Sequence, residues 1–534
     1  MGQPVGVRAR MIDSCWRGTR LLFGVGLVVA VAGCAAPPAD GARASAGNSG
    51  LGSGGASLAQ GGASPEAGAS NGGSFSTSNG AGNSGAGSDG LGGSGGLAGN
   101  GGLAGNGGLA GNGGLAGYGG LGGSGGGAAP ACVGELKFAD AKLEAAIRSA
   151  AALPTGPITA SALQGLKTLV AQSQGIQSLA GLECAKALTS IDLSSNEIAD
   201  LWPLYTLSAL YTLKLGHNAI VDLTAVGYLN KLDTLDLSDN AVADVSPLMG
   251  LHSLLRLNLA RNKLASVVGL AGLSSLVALD LSSNTFSDAA MLANLGNLSE
   301  LHLAATGLSS ITWMSNLKKL QIVELRDNDL TDVSSLSNLT AIALLDLEGN
   351  ALKDVNAVQN LSHLVSLRLR RNPISDLKVA LFRSDKKQLI TLDLGETAVE
   401  NLFFLDGYQL ESLWLDSTPL TAIGPLQMDK LSTLSLASTR VTDFSPLANL
   451  PGLSRVVLDH TAIAELSPFA ALAKLSDLSL ASTQVTDLQP LVDNPAFAAN
   501  DRLDLTDSAL DCTTQGAHVT ALKTRGVSVK SVCQ

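Results

Sequence analysis

Apolar residues return along this chain about every 22 residues, from Leu166 to Arg502. Leu188, Ile191, Leu193 and Asn196 are followed by Leu210, Leu213, Leu215 and Asn218, then by Leu232, Leu235, Leu237 and Asn240. The register defines fifteen units, the first starting at Leu166 and the last at Leu475. The first six positions of each alternate apolar and variable residues, which predicts a half-buried strand. Successive strands must then run parallel, joined by short returns. A period of this length marks a solenoid, whose units bury their apolar faces only against their neighbours.

Smaller columns refine that picture. The ninth position is Asn in the early units and Thr from Thr397 onward, with Thr306 as an early exception. An amide buried there is expected to satisfy backbone groups of its own unit and the adjacent one. Thr has fewer hydrogen-bonding groups, so the C-terminal units should be held less firmly. Ile198, Ile220, Val242 and Leu264, at the eleventh position, are expected to point inward. Aspartates two places later (Asp200, Asp222, Asp244) before Pro203 or Pro247 read as helix N-caps, with room for only a brief 3-10 or α turn.

The combined pattern resembles the 22-residue bacterial leucine-rich repeat of internalin-type proteins, over residues 132–534. The resemblance implies an α/β fold: a curved leucine-rich repeat solenoid with parallel strands on the concave face and short 3-10 or α turns on the convex face. It also implies binding of partners, usually proteins, through the concave face. Residues 137–148, with Asp140, Leu143 and Ile147, look like that family's helical N-terminal cap. The expected division is a cap at 132–165, repeats at 166–502 and a C-terminal cap at 503–534. Cys132, Cys184, Cys512 and Cys533 sit only at the two ends, which suggests one disulfide per cap in an oxidising compartment. Four cysteines formally allow three pairings.

The N-terminus carries an address. Arg17 and Arg20 precede an apolar run from Leu21 to Ala32, as in a secretory signal, expected at 1–33. Val31, Ala32 and Gly33 before Cys34 resemble the lipobox of bacterial lipoproteins, with Val31 standing where Leu is usual. That resemblance implies lipidation of Cys34 and, since Ala35 follows, a place on the outer membrane or cell surface. Met11 would make a more typical start than Met1. Residues 34–131 are dominated by Gly, Ala, Ser and Asn, a composition expected to stay disordered as a tether.

A net charge of −11 argues against nucleic acid as the main partner, since phosphate binding needs a basic footprint. The variable strand positions should line the concave surface. Glu324, Arg326, Asp346, Glu348, Arg368, Arg370 and Arg371 are expected to form a mixed-sign band there. Trp414 should stand exposed nearby, with Asp416, Arg455, Asp459, His460 and Asp477 as neighbours or, through Arg455, as a packing partner. Trp202 and Trp313 are expected to pack between units. His217, His302 and His460 are scattered, with no phosphate loop and no metal-binding His pair, so neither catalysis nor a cofactor or metal is expected. The expected function is capture of a protein or glycan by a membrane-anchored monomer. The alternative is a spacer of the cell envelope without a specific ligand.

Overall fold

The computed structural model describes residues 132–377, 388–424, 426–531 and 533. The expected signal peptide, Cys34 and the glycine-rich tract lie outside them, as do Lys378, Arg383, Lys386 and Lys387 of the long tenth unit.

Each alternating segment forms one short strand. In chain order these are β1 (Thr168–Val170), β2 (Ser190–Asp192), β3 (Thr212–Lys214), β4 (Thr234–Asp236), β5 (Arg256–Asn258) and β6 (Ala278–Asp280). They continue as β7 (Glu300–His302), β8 (Ile322–Glu324), β9 (Leu344–Asp346), β10 (Ser366–Arg368), β11 (Thr391–Asp393) and β12 (Ser412–Trp414). β13 (Thr433–Ser435), β14 (Arg455–Val457), β15 (Asp477–Ser479), β16 (Arg502–Leu505) and β17 (Ser528–Ser531) complete a parallel sheet of 17 strands among the described residues. The fourth position of each unit faces inward: Leu279, Leu301, Val323 and Leu345 stack in register and are fully buried. The first, sixth and eleventh positions close the same core, as Leu320, Leu325 and Leu330 do. Each such side chain contributes about 1.5–3 kcal/mol of burial, repeated unit after unit.

The returns are brief 3-10 turns such as Trp202–Leu204 and Ser246–Leu248, each with Pro in its first turn. The aspartates expected as N-caps sit one residue earlier than a cap. Asp200 Oδ1 accepts the Trp202 N–H at 2.8 Å and Asp244 Oδ1 that of Ser246 at 2.8 Å, while the cap residues Leu201 and Val245 make no side-chain bond. The carboxylate closes an Asx turn that leads the chain into the helix. Asp288 instead accepts the Val267 N–H and the Ser266 hydroxyl of the preceding unit. Trp313 packs against the core as expected, but Trp202 is 42 % exposed and stacks on Tyr205 at 5.2 Å.

The ninth-position amide ties units together. Asn284 Oδ1 accepts the Leu264 N–H of the preceding unit, and its Nδ2 donates to Leu259 O there and to Leu281 O in its own unit. Where Thr replaces Asn, the hydroxyl turns home: Thr418 donates to Leu415 O and Thr483 to Leu480 O, each within its own unit.

The eighth position is left-handed in unit after unit, as in Ser195, His217, Asp239, Arg261, Ser417 and Ser482, with φ between 55° and 60° except 54° at Asp239. The reason is the ladder. Ser195 N–H still reaches Gly216 O, and Ser417 N–H reaches Ala437 O, while the chain turns away from the strand. Non-glycine residues adopt this conformation at a cost, and β-branched ones at the highest. Ser417→Val is therefore expected to lower stability by about 1–2 kcal/mol, and Ser417→Gly to preserve or raise it. Denaturant unfolding of the two variants checks this.

Both ends are closed. Helix α1 (Ala141–Ala150) starts at Asp140, whose Oδ1 accepts the Lys142 and Leu143 N–H groups and whose Oδ2 accepts the Gln177 N–H at 2.7 Å. One carboxylate thus caps the helix and ties it to the first repeat, and Leu143 and Ile147 bury the helix face against the core. At the other end α2 (Gln489–Asp493) and α3 (Cys512–Thr524) flank β16, and α3 leads into β17, so the sheet runs on past the fifteenth unit. Arg525 Nη2 donates to Val492 O and Nη1 to Asn494 O, pinning the helix end to the repeats. Cys132 is bonded to Cys184 and Cys512 to Cys533, one disulfide at each end.

Candidate partner-binding face

The third, fifth and seventh positions leave the sheet on its solvent side, and the eighth follows at the turn. Many fifth-position carboxylates have a local task. Asp236 Oδ1 accepts the Ser238 N–H at 3.0 Å, Asp280 Oδ1 that of Ser282 at 2.9 Å, and Asp504 Oδ1 that of Thr506 at 2.9 Å. Each bond bends the backbone out of the strand two residues later, ahead of the left-handed turn.

From β6 to β11 the fifth position is ionisable in every strand. Asp280, His302, Glu324, Asp346, Arg368 and Asp393 lie side by side in register. All but Glu324 are buried: Asp346 is 1 % exposed and His302 8 %. His302 Nδ1 lies 2.8 Å from Glu324 Oε2, and its Nε2 has no hydrogen-bond partner among the described residues. Burial pushes the Asp346 carboxyl up to about 7; the charges of Glu324 and Glu348 add to it, while the Glu348 N–H and Arg368 oppose it. Burial likewise pushes Asp393 up to about 6, against the Gly395 N–H and Arg370. Burial also raises Asp280, with His302 opposing. At His302 burial disfavours the cation, but the Glu324 bond and the charges of Glu324, Asp280 and Glu300 outweigh it and raise the pKa. Burial raises Glu324 too, yet His302, Arg326 and Arg368 together hold it below the usual value.

The mixed-sign band exists, but its arginines are already engaged. Arg370 reaches Glu396 through Nη2 at 2.5 Å and Asp416 through Nη1 at 3.2 Å. Arg371 Nη2 donates to Asp327 at 2.7 Å and to Glu348 at 3.1 Å. Arg368 is buried, and Arg326 remains exposed. Trp414 is half-buried rather than exposed, since β11 and β13 flank it and place Asp393 and Ser435 beside it. Arg455 lies two strands away, and its Nε donates to Asp477 at 3.0 Å, so it does not serve as the stacking partner of Trp414. Asp459 accepts the Ser479 hydroxyl at 2.6 Å and the Ala481 N–H at 2.8 Å, which ties it to the next unit. His460 is exposed at a left-handed turn. Asp416 repeats the Asp459 role with Ser435 and Ala437 while also holding Arg370.

Sequence reasoning overlooked Asp280 and Asp393 and set His302 aside as one of several scattered histidines, although all three stand in the same fifth-position column as Glu324 and Asp346. It also overlooked Ile322 and Leu344, half-buried apolar residues paired in register at the third position of β8 and β9. Among the described residues no helix is long and apolar enough to cross a membrane.

The Leucine Rich repeat family model matches residues 272–293, one period of the pattern. No match to the chain is found among curated proteins. Among solved structures, a leucine-rich repeat protein of Leptospira interrogans is 23% identical, with 69% of this chain and 98% of that one covered and a TM-score of 0.61. An internalin of Listeria monocytogenes is 25% identical, with 70% and 95% covered and a TM-score of 0.49. The ectodomain of a receptor kinase of Arabidopsis thaliana is 20% identical, with 66% and 48% covered and a TM-score of 0.52. With its repeat register, its parallel sheet, the family match at 272–293 and the likeness to the Leptospira interrogans protein, the described chain forms a leucine-rich repeat domain.

Proposed function

We propose that this protein is an extracytoplasmic binding protein, anchored to a membrane through lipidated Cys34, that captures a protein partner with the strand face of its repeats. The observation that carries this reading is the contrast between two kinds of position. The inward positions repeat one apolar solution in every unit, whereas the solvent side from β8 to β12 holds a dense set of charged groups, Arg370 and Arg371 among them fixed by ion pairs, beside Trp414. Such groups are set in place before a partner arrives, which reduces the ordering cost of binding. The disulfide at each end suits a protein that works in an oxidising compartment. The anchor rests on the sequence around Cys34 alone.

The test uses the full chain as bait against extracellular and envelope proteins. Arg370 is unsuitable for charge reversal, because a carboxylate there would face Glu396 and Asp416 and strain the fold. Trp414→Ala combined with Ile322→Ala changes the face while leaving those pairs intact. The double variant is expected to stay folded and to lose the partner by about tenfold or more in affinity, as truncation of an aromatic anchor does. Equal capture by the folded variant would move the site elsewhere.

A further inference from the structure

Resting on the strand face as the binding surface, we infer that its partner offers a lysine- or arginine-bearing protein segment, seated over Glu324, Ile322 and Leu344 on β8 and β9. Three independent observations lead there. The first is charge that the fold leaves unbalanced. Glu324 and Asp346 are in register on adjacent strands, with Glu348 two residues further along β9's chain. Arg371 is taken by Asp327 and Glu348 and Arg370 by Glu396 and Asp416, while Arg326 and Arg368 offset the carboxyls Asp280, Glu300, Glu324, Asp346 and Glu348 only in part. Parallel strands bring neighbouring side chains within about 5 Å, so the two carboxyls repel across that gap.

The second observation is the apolar pair beside them. Ile322 and Leu344 lie on the same face as Glu324 and Asp346, two residues earlier on the same strands. An apolar step next to a carboxylate suits a side chain with an aliphatic stem and a cationic head, which is what lysine and arginine are. An anionic partner would meet the carboxylates, and a wholly apolar one would leave them desolvated and unpaired.

The third is His302, nine-tenths buried in the same row. Its Nδ1 lies against Glu324, and its Nε2, on the other side of the ring, has no hydrogen-bond partner among the described residues. In its neutral form, with Nδ1–H donating to Glu324, the ring leaves Nε2 a lone pair that the fold does not match, and a donor reaches it only when the side chains above it shift. A cation over this row would also draw protons out of it. Asp346 is faced by Glu324 from β8, Arg368 from β10 and Glu348 from its own strand, and its carboxyl holds its proton up to about pH 7. His302 is faced by Asp280 from β6, Glu324 from β8 and Glu300 from its own strand. Bringing a positive charge up to either group favours the deprotonated form. Binding is therefore coupled to proton release, and affinity falls on acidification.

The probe is a short peptide alternating lysine and valine, with its glutamate–valine counterpart as control, titrated into the full chain by calorimetry. At pH 7 the lysine peptide is expected to bind with proton release, seen as a dependence of the heat on buffer ionisation. Its affinity should fall by up to about tenfold per pH unit on acidification and weaken as salt rises. Glu324→Gln with Asp346→Asn should cost about tenfold or more and remove most of the proton release. Asp346→Asn alone keeps the Oδ1 acceptor for the Glu348 N–H, so a folded variant is available whatever becomes of the pair. It should retain binding in part and lose most of the proton release. The inference is overturned by no binding of the lysine peptide, by equal binding of the glutamate peptide, or by variants that bind as the wild type does. If a partner is captured by the strand face without sensitivity to salt or pH while the lysine peptide fails, the face remains the binding surface and this inference alone falls.

Discussion

Asn328→Ala is expected to lower the stability of the domain by about 3–5 kcal/mol, because it strands two buried backbone N–H groups at roughly 1–3 kcal/mol each and removes two further bonds to carbonyls. Asn328 Oδ1 accepts the N–H groups of Thr306 and Leu308 in the preceding unit. Its Nδ2 donates to Leu303 O of that unit and to Leu325 O of its own. The Thr306 hydroxyl also lies 3.0 Å from Asn328 Oδ1, so the change disturbs a second side chain. Alanine leaves these groups inside a packed stack without water. Thr483→Ala is the matched control, since its hydroxyl makes one bond, to Leu480 O at 2.7 Å in its own unit. Its cost should be nearer about 1 kcal/mol. Denaturant unfolding of both variants measures the contrast. Equal losses would mean that the amide column does no more than the threonine column.

Asp346→Asn is expected to raise stability at pH 8 and to flatten its dependence on pH. In the folded chain burial pushes the Asp346 carboxyl up to about 7, against about 3.9 for an unfolded aspartate. Between about pH 4 and pH 7 the native state therefore holds a proton that the unfolded state has released, and stability falls as pH rises through that window. At pH 8 the buried carboxylate costs on the order of 4 kcal/mol, an upper value for a side chain 1 % exposed. Asp393, raised to about 6, adds a smaller effect of the same sign between about pH 4 and pH 6. His302, raised above its usual value, stabilises at low pH and loses that contribution as pH rises through its folded pKa. Glu324 and Asp140 act in the opposite sense: both are held low, so their contribution is lost as pH falls below about 4. The wild-type melting temperature should climb as pH drops from about 8 to about 5 and fall in stronger acid. Asparagine removes the largest part of the climb. A variant less stable than the wild type at pH 8 would contradict this.

A carboxylate kept at such a cost on the solvent side of the sheet contrasts with the uniformly apolar inward positions. The same contrast governs what was legible in the sequence. The strand phase was legible because inward positions obey one rule, burial, and residues such as Leu301, Val323 and Leu345 state it without ambiguity. The amide column was legible for the same reason, as was Asp140 ahead of Leu143 and Ile147. The left-handed eighth position left a quieter signal. Ser195, His217, Asp239, Arg261 and Ser417 share nothing but the absence of a β-branch, a steric rule that hydropathy does not report. The fifth-position Asx turns had one too, in Asp236 before Ser238 and Asp280 before Ser282. Pairing on the strand face was not legible. The partners of Arg370, Glu396 and Asp416, lie one and two units away, and nothing in a 22-residue register decides which acid a flexible guanidinium will choose. Trp414 was placed on the correct face but judged exposed, because the flanking strands that half-bury it are matters of packing.

Hydrogen exchange of the full chain, with and without its captured partner, tests the central claim most directly. Partner capture through the strand face predicts slowed exchange in the segments that follow β8 to β12, including Arg326, Glu348 and Asp416, and unchanged exchange in returns such as Ser334–Asn338 and Ser445–Asn449. Protection of the returns, with the strand-side segments exchanging as they do in the free chain, would contradict it.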